Sequence, residues 1–211
     1  MKALVLVDLQ NDFMPGGALA VSDGNLVVPV ANAVQPFFDF VVATEDWHPA
    51  DHSSFAANHP GREVGEVIEI DRISQILWPV HCVRNSMGAG LVSTLVKDRI
   101  RKTFYKGTDR SIDSYSTFYD NGHRQATGLG DYLRDGGVDH VYLLGLATDY
   151  CVKFSALDAR SLGFRTTLIR DGCRGVELNT GDVDRAIAEM SEKGVELVSS
   201  DALMADGSVA E

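Results

Sequence analysis

The sequence predicts an α/β fold, a doubly wound parallel sheet with helices on both faces. Three features carry that prediction. Apolar runs rich in Val, Leu and Ile recur along the chain, unbroken rather than alternating, as in strands buried on both faces. Segments with helical spacing lie between them. Several runs stop at a residue able to do chemistry, which suits the carboxyl ends of parallel strands.

Lys2–Val7 is the first such run and stops at Asp8. Residues 26–38 carry apolar side chains at helix-compatible spacing, with Pro29 and Pro36 obscuring the boundaries. Residues 39–44 repeat the strand pattern and lead into Glu45-Asp46-Trp47-His48. Leu91, Leu95 and Val96 predict a helix ahead of Arg101, and 103–105 a short strand before Lys106-Gly107. Residues 129–133 predict a helix stopped by Gly136-Gly137. His140–Leu146 is a further buried strand, followed by Ala147-Thr148-Asp149. Val152, Ala156, Leu157 and Ala159 share one helix face, closed by Gly163. Residues 164–169 and 195–198 supply two more strands, separated by a helix over 182–193 with Ala186, Ile187 and Met190 inward. Residues 205–211 are expected to fray. Segments 45–65 and 106–124 are polar, rich in His, Ser, Asp, Tyr and Gly, and longer than ordinary connections; such loops in a compact domain are usually functional or disordered, and their His and aromatic content favours function.

A single domain over residues 1–211 accommodates all of this. Hydrophobic residues at 45% and charged residues at 23% exclude wholesale disorder. With 30 acidic against 19 basic side chains the net charge is −11, which argues against nucleic-acid and anionic-membrane partners. No apolar run reaches the ~18 residues of a membrane span, and the first run is too short for a signal peptide. Three cysteines, Cys82, Cys151 and Cys173, form no CxxC pair, so a reducing cytoplasm is expected rather than a disulfide framework.

Cys151 follows a helix N-cap candidate at Thr148-Asp149. In the first turn its thiol would meet the positive end of the helix dipole, and the exposed N–H groups could hold an oxyanion. A small buried packing residue is the equal alternative. Cys82 and Cys173 have no such helix start. Asp8 is a general base or a structural acceptor. Lys106 alone would be an ordinary surface charge. Together the three form a working set, with Asp8 taking the thiol proton and Lys106 balancing the charge. Asp46, His48 and His52 alternate on an extended loop, with His59 and His81 beyond. Four of the six histidines fall between positions 48 and 81, which favours an open Asp/His site for Zn²⁺, Fe²⁺ or Mn²⁺ over solvated loop residues. Phe13, Trp78 and Tyr115 could wall a flat apolar pocket or simply anchor loops.

Read together, Val7-Asp-Leu-Gln-Asn-Asp-Phe13, Pro15-Gly-Gly-Ala-Leu-Ala-Val21, Asp46-Trp-His-Pro49, Trp78-Pro-Val-His-Cys-Val83, Phe104-Tyr-Lys-Gly107 and Ala147-Thr-Asp-Tyr-Cys-Val152 resemble the nicotinamidase/pyrazinamidase family of isochorismatase-like cysteine hydrolases. The resemblance runs from the first strand to about Ser200. It implies a three-layer α/β/α sandwich around a mostly parallel six-stranded sheet, and deamidation of nicotinamide to nicotinate and ammonia. It implies a triad of Asp8, Lys106 and Cys151, and one divalent ion, Zn²⁺ ahead of Fe²⁺ or Mn²⁺, on Asp46, His48 and His81. His52 matches a position that ligates in some members only. It also implies a cis peptide before Ala147, an oxyanion hole from the N–H groups of Ala147 and Cys151, and a pocket walled by Phe13, Trp78 and Tyr115. Where the family usually continues with a Gly-Thr turn, residues 84–87 read Arg-Asn-Ser-Met, a departure expected to border the metal and the pocket. Competing expectations are a metal-free relative acting on isochorismate or on another amide or ureido compound, an inactive binding relative, and a metallohydrolase in which Cys151 only packs. Homo-oligomerisation is left open.

Overall fold

The computed structural model describes residues 1–207. Strands β1 (Lys2–Val7), β2 (Phe40–Asp46), β5 (Ile100–Lys106), β6 (His140–Leu146), β7 (Arg165–Arg174) and β8 (Glu196–Val198) form one sheet in the order β5-β2-β1-β6-β7-β8. Every pairing in it is parallel. β2 and β6 are buried at every residue, and β1 at all but its first, which is why these runs are continuously apolar.

The helices are α1 (Val27–Val34), α2 (Leu129–Asp135), α3 (Lys153–Ser161), α4 (Asp182–Glu192) and α5 (Ser200–Asp206). From β1 through α1 the chain steps one way along the sheet to β2. From β6 through α3 it steps the other way to β7. Right-handed crossovers in opposite directions put α1 and α3 on opposite faces. α5 packs with α1, and α4 with α3, giving the three layers. The reversal of direction lies between β1 and β6, so a crevice opens at their carboxyl ends. β6 pairs with Val7 of β1 at Gly145, whose φ is +138° and where a Cβ would lie 2.0 Å from the Val7 carbonyl oxygen. Only glycine fits there.

Several local expectations need correction. Residues 91–96 form no helix, because their backbone groups are taken by distant partners. Val92 N–H donates to the Leu9 carbonyl, Val96 N–H to Asn32 Oδ1, and Leu91 N–H to Glu45 Oε1. The helix over 26–38 stops at Val34 and tightens into a 3₁₀ turn, Gln35–Phe37, at Pro36. Strands β3 (Val67–Ile70) and β4 (Ile73–Ile76) form an antiparallel hairpin that the sequence analysis lacks. Its turn residues Asp71 and Arg72 both adopt positive φ without the usual Asn-Gly signal. The fraying expected at 205–211 also fails at its start, since α5 reaches Asp206, capped by Ser199 accepting from Ala202 N–H. Residues 208–211 lie outside the described residues. No helix among the described residues is long and apolar enough to cross a membrane.

Candidate active site

The crevice between β1 and β6 gathers six side chains from five chain segments. Asp8 follows β1, Asp46 ends β2, and Lys106 ends β5. Cys151 follows β6 in a single π-helical turn, Thr148–Val152, that runs into α3. His48 and His81 come from the two loops beyond. All six are buried. Loops 45–65 and 106–124 are bonded to each other, Trp47 N–H to the Lys106 carbonyl and Ser53 N–H to the Arg110 carbonyl.

Lys106 is the hub. Its ammonium donates to Asp46 Oδ1 (2.5 Å), the Ser114 carbonyl (3.0 Å) and Cys151 Sγ (3.3 Å), and lies 2.9 Å from Asp8 Oδ2. Burial alone would strip its proton, but the carboxylates of Asp46 and Asp8 outweigh it and keep it an ammonium. Burial would likewise raise Asp46, yet Lys106 and then His48 hold its carboxyl well below the usual range. Asp8 goes the other way: complete burial raises it, with Lys106 opposing and Asp46 reinforcing.

Cys151 departs from the sequence expectation. Burial pushes its thiol well above the ordinary range; Lys106 opposes this, while Asp8 and Asp46 add to it. Cys151 does lie in the first turn of the helical segment, as expected, but the N-cap is Ala147 and not Thr148 or Asp149. Asp149 does not cap its own turn; its carboxylate accepts from Val176 and Glu177 N–H instead. The burial that raises the thiol also sets it within 4.8 Å of an Asp8 carboxylate oxygen, an acceptor for its proton.

Beside this set, His48 donates from Nδ1 to the Gly107 carbonyl (2.9 Å) and His81 from Nδ1 to the Pro79 carbonyl (2.8 Å). Each bond leaves Nε2 as a lone-pair donor. Asp46 Oδ2 lies 3.7 Å from His48 Nε2 and 3.9 Å from His81 Nε2. A metal bonded at about 2.1 Å spans up to about 4.2 Å between its ligands, so this set fits a divalent ion. His48 Nε2 is buried without a hydrogen-bond partner among the described residues, as a ligand position requires. Two other clusters are less apt. Asp8, Asp46 and Cys151 already surround the Lys106 ammonium. His52, grouped with His48 and Asp113, accepts at Nδ1 from Ser54 N–H and meets the Ile112 carbonyl at Nε2, so neither ring nitrogen is spare.

Gly107 seats His48. Its φ is +62°, and a Cβ there would lie 2.3 Å from His48 Cε1. Gly107→Ala is expected to destabilise the fold by about 2 kcal/mol or more and to release the metal. Urea unfolding and elemental analysis check this; unchanged values in both would contradict the tight seat.

A narrow cavity opens onto Cys151, Asp46 and His81, walled by Phe13, Trp78 and Tyr115. Trp78 Nε1–H donates to Tyr115 Oη (3.1 Å), fixing the two rings together. Ala147 lies on the same wall, and the Leu146–Ala147 peptide is cis. Residues 84–87 do not line the cavity, contrary to expectation, but they border the metal set as expected: Arg84 N–H donates to the His48 carbonyl (2.9 Å). Tyr150 and Asp113, not among the residues expected there, also stand on the wall, and a further unexpected residue acts behind it. Gln10 clamps both backbone groups of Asp46 at 2.8 Å. Gln10 and Asp113 read in sequence as ordinary loop polar residues; their burial alone marks them.

The isochorismatase domain family matches residues 2–202. The nicotinamidase of Escherichia coli K12 is 50% identical over 200 residues, covering 93% of each chain. Among solved structures, a nicotinamidase/pyrazinamidase of Acinetobacter baumanii superposes with a TM-score of 0.93 at 45% identity, covering 96% of this chain and 97% of that one. A pyrazinamidase of Pyrococcus horikoshii in complex with zinc superposes with a TM-score of 0.76 at 37% identity, covering 94% and 98%.

Proposed function

The chain belongs to the isochorismatase domain family, and we propose that it is a nicotinamidase/pyrazinamidase, hydrolysing the carboxamide of nicotinamide to nicotinate and ammonia. One observation carries this: Cys151, which the Lys106 ammonium links to the Asp8 carboxylate, opens into the same aromatic-walled cavity as Asp46 and His81 of the Asp/His metal set. The relatives acting on nicotinamide and pyrazinamide support the substrate class.

Asp46, His48 and His81 would hold the divalent ion, with Zn²⁺ our assignment. Bound there, such an ion would supply Lewis-acid chemistry to a pyridine held in the cavity. The aromatic wall takes the flat ring, and the amide carbon comes to Cys151. Sγ attacks that carbon as its proton passes to Asp8 Oδ2, and the carbonyl electrons move onto oxygen. The N–H groups of Ala147 and Cys151 receive the oxyanion. The C–N bond then breaks, and Asp8 returns the proton to the departing ammonia, leaving a thioester. Asp8 next takes a proton from water, whose oxygen attacks the thioester. The C–S bond breaks and Sγ recovers the proton from Asp8. Lys106 stays protonated throughout and offsets the charge on Asp8 and Sγ.

A dicarboxylate such as isochorismate suits the site poorly. Its cavity wall carries Asp46 and Asp113 and, among the described residues, no Arg or Lys.

Ammonia release from nicotinamide tests the proposal. The metal-loaded chain is expected to release it, a chelator to stop release, and added Zn²⁺ to restore it. His81→Ala should lower the metal to below one per chain and raise KM strongly, because the ion holds the ring and does not make the nucleophile. No ammonia from the metal-loaded chain would overturn the substrate; full metal content in His81→Ala would overturn the ligand set.

A further inference from the structure

We infer that Thr44 is the positioning residue that holds the Asp8 carboxylate in its proton-carrying orientation. The inference rests on the hydrolytic mechanism proposed above and deepens it. Thr44 lies on β2, two residues before Asp46, and both Thr44 and Asp8 are fully buried.

The hydroxyl of Thr44 makes two bonds to the same residue. It donates to Asp8 Oδ1 at 2.6 Å and accepts from Asp8 N–H at 3.3 Å. A side chain tied to both the backbone and the carboxylate of one residue fixes that residue's torsions. Asp8 needs this, because its φ of +51° is a left-handed conformation that a non-glycine residue adopts only when its surroundings impose it.

Lys106 cannot do the same work. An ammonium has three protons, and those of Lys106 are directed at Asp46 Oδ1, the Ser114 carbonyl and Cys151 Sγ. Its ammonium also lies 2.9 Å from Asp8 Oδ2, a contact on the other carboxylate oxygen that leaves Oδ1 and the backbone N–H to Thr44. Thr44 is therefore the donor that distinguishes the two oxygens. Oδ1 takes the Thr44 hydroxyl, and Oδ2 faces the Lys106 ammonium and serves as the proton acceptor of the mechanism above. A carboxylate oxygen of Asp8 lies within 4.8 Å of Cys151 Sγ. Without the hydroxyl the carboxylate can turn about Cβ–Cγ, and neither oxygen is held where the thiol proton arrives.

Thr44→Val removes the hydroxyl and keeps the shape; Thr44→Ser keeps the hydroxyl. With nicotinamide, Val is expected to lower kcat about 10- to 100-fold with KM within about twofold, the size of a lost hydrogen bond to a charged group. Ser should recover most of the loss. Iodoacetamide alkylation of Cys151 in the absence of substrate should slow about 10-fold in Val and recover in Ser, because it needs the same proton transfer. Wild-type alkylation in Thr44→Val, or an equal fall in Val and Ser, would overturn the assignment. A wild-type chain that releases no ammonia from nicotinamide would sink the substrate proposal, and the alkylation rates would still judge Thr44.

Discussion

Cys151→Ala is expected to abolish ammonia release, with kcat down on the order of 10⁴-fold or more, while the fold and the metal remain. The loss is chemical because no neighbour can replace the nucleophile. The polar groups beside Sγ are the Lys106 ammonium at 3.3 Å and the carboxylates of Asp8 and Asp46, which serve as acceptors. Losing one buried sulfur costs about 1 kcal/mol of packing, within reach of a stable domain. Metal content is the more telling measurement. If the ion sits on Asp46, His48 and His81, the alanine variant binds it as the wild type does. If instead Cys151 shared in ligation with Asp8 and Asp46, the variant would lose it. Rapid quenching with nicotinamide should trap an acyl group on the wild type and none on the variant. Substantial turnover by Cys151→Ala would return the chemistry to a metal-bound water and reduce Cys151 to packing.

What the sequence makes legible here is what continuous chain dictates. The buried strands announce themselves by unbroken apolar runs, and Asp8, Lys106 and the Thr148–Val152 turn follow from strands that end at one rim. Residues 91–96 show the opposite case. Their spacing is helical, but Leu9, Asn32 and Glu45, all distant in sequence, claim the backbone groups a helix would use. No local pattern encodes that competition. The hairpin β3–β4 hides for a related reason, since Asp71 and Arg72 take the left-handed region without glycine or asparagine to signal it.

The site divides along the same line. The acid, amine, thiol and imidazoles are residue types whose chemistry can be named from sequence. Thr44, Gln10 and Asp113 are ordinary polar residues until burial gives them partners. The state of Cys151 is the sharpest instance. A local argument from helix starts puts its thiol low, whereas full burial between two carboxylates and one ammonium puts it high.

Lys106→Met is expected to damage both catalysis and stability, and the two losses should respond oppositely to acid. Methionine keeps much of the stem's volume, so the effect is that of the charge. Asp8 and Asp46 would be left as fully buried carboxylates without their shared cation. Removing one partner of a buried ion pair costs about 3–5 kcal/mol. Asp8, which burial already raises, would rise further and take up a proton in the folded state. A carboxyl raised above its unfolded value stabilises the fold at low pH and loses that contribution as pH climbs past the unfolded value. Urea unfolding should therefore show the deficit largest near neutrality and shrinking toward pH 4, close to the ~3.9 of an unperturbed aspartate. Catalysis does not recover in step. A protonated Asp8 cannot accept the thiol proton, and Lys106 is the group that draws the Cys151 thiol downward. kcat should fall by about 10³-fold or more while KM, set by the ring wall and the metal, changes far less. Cys151 alkylation should slow at neutral pH with no substrate present. Unchanged alkylation together with a pH-independent stability deficit would leave Lys106 as a structural anchor, and the reacting set would contract to Asp8 and Cys151.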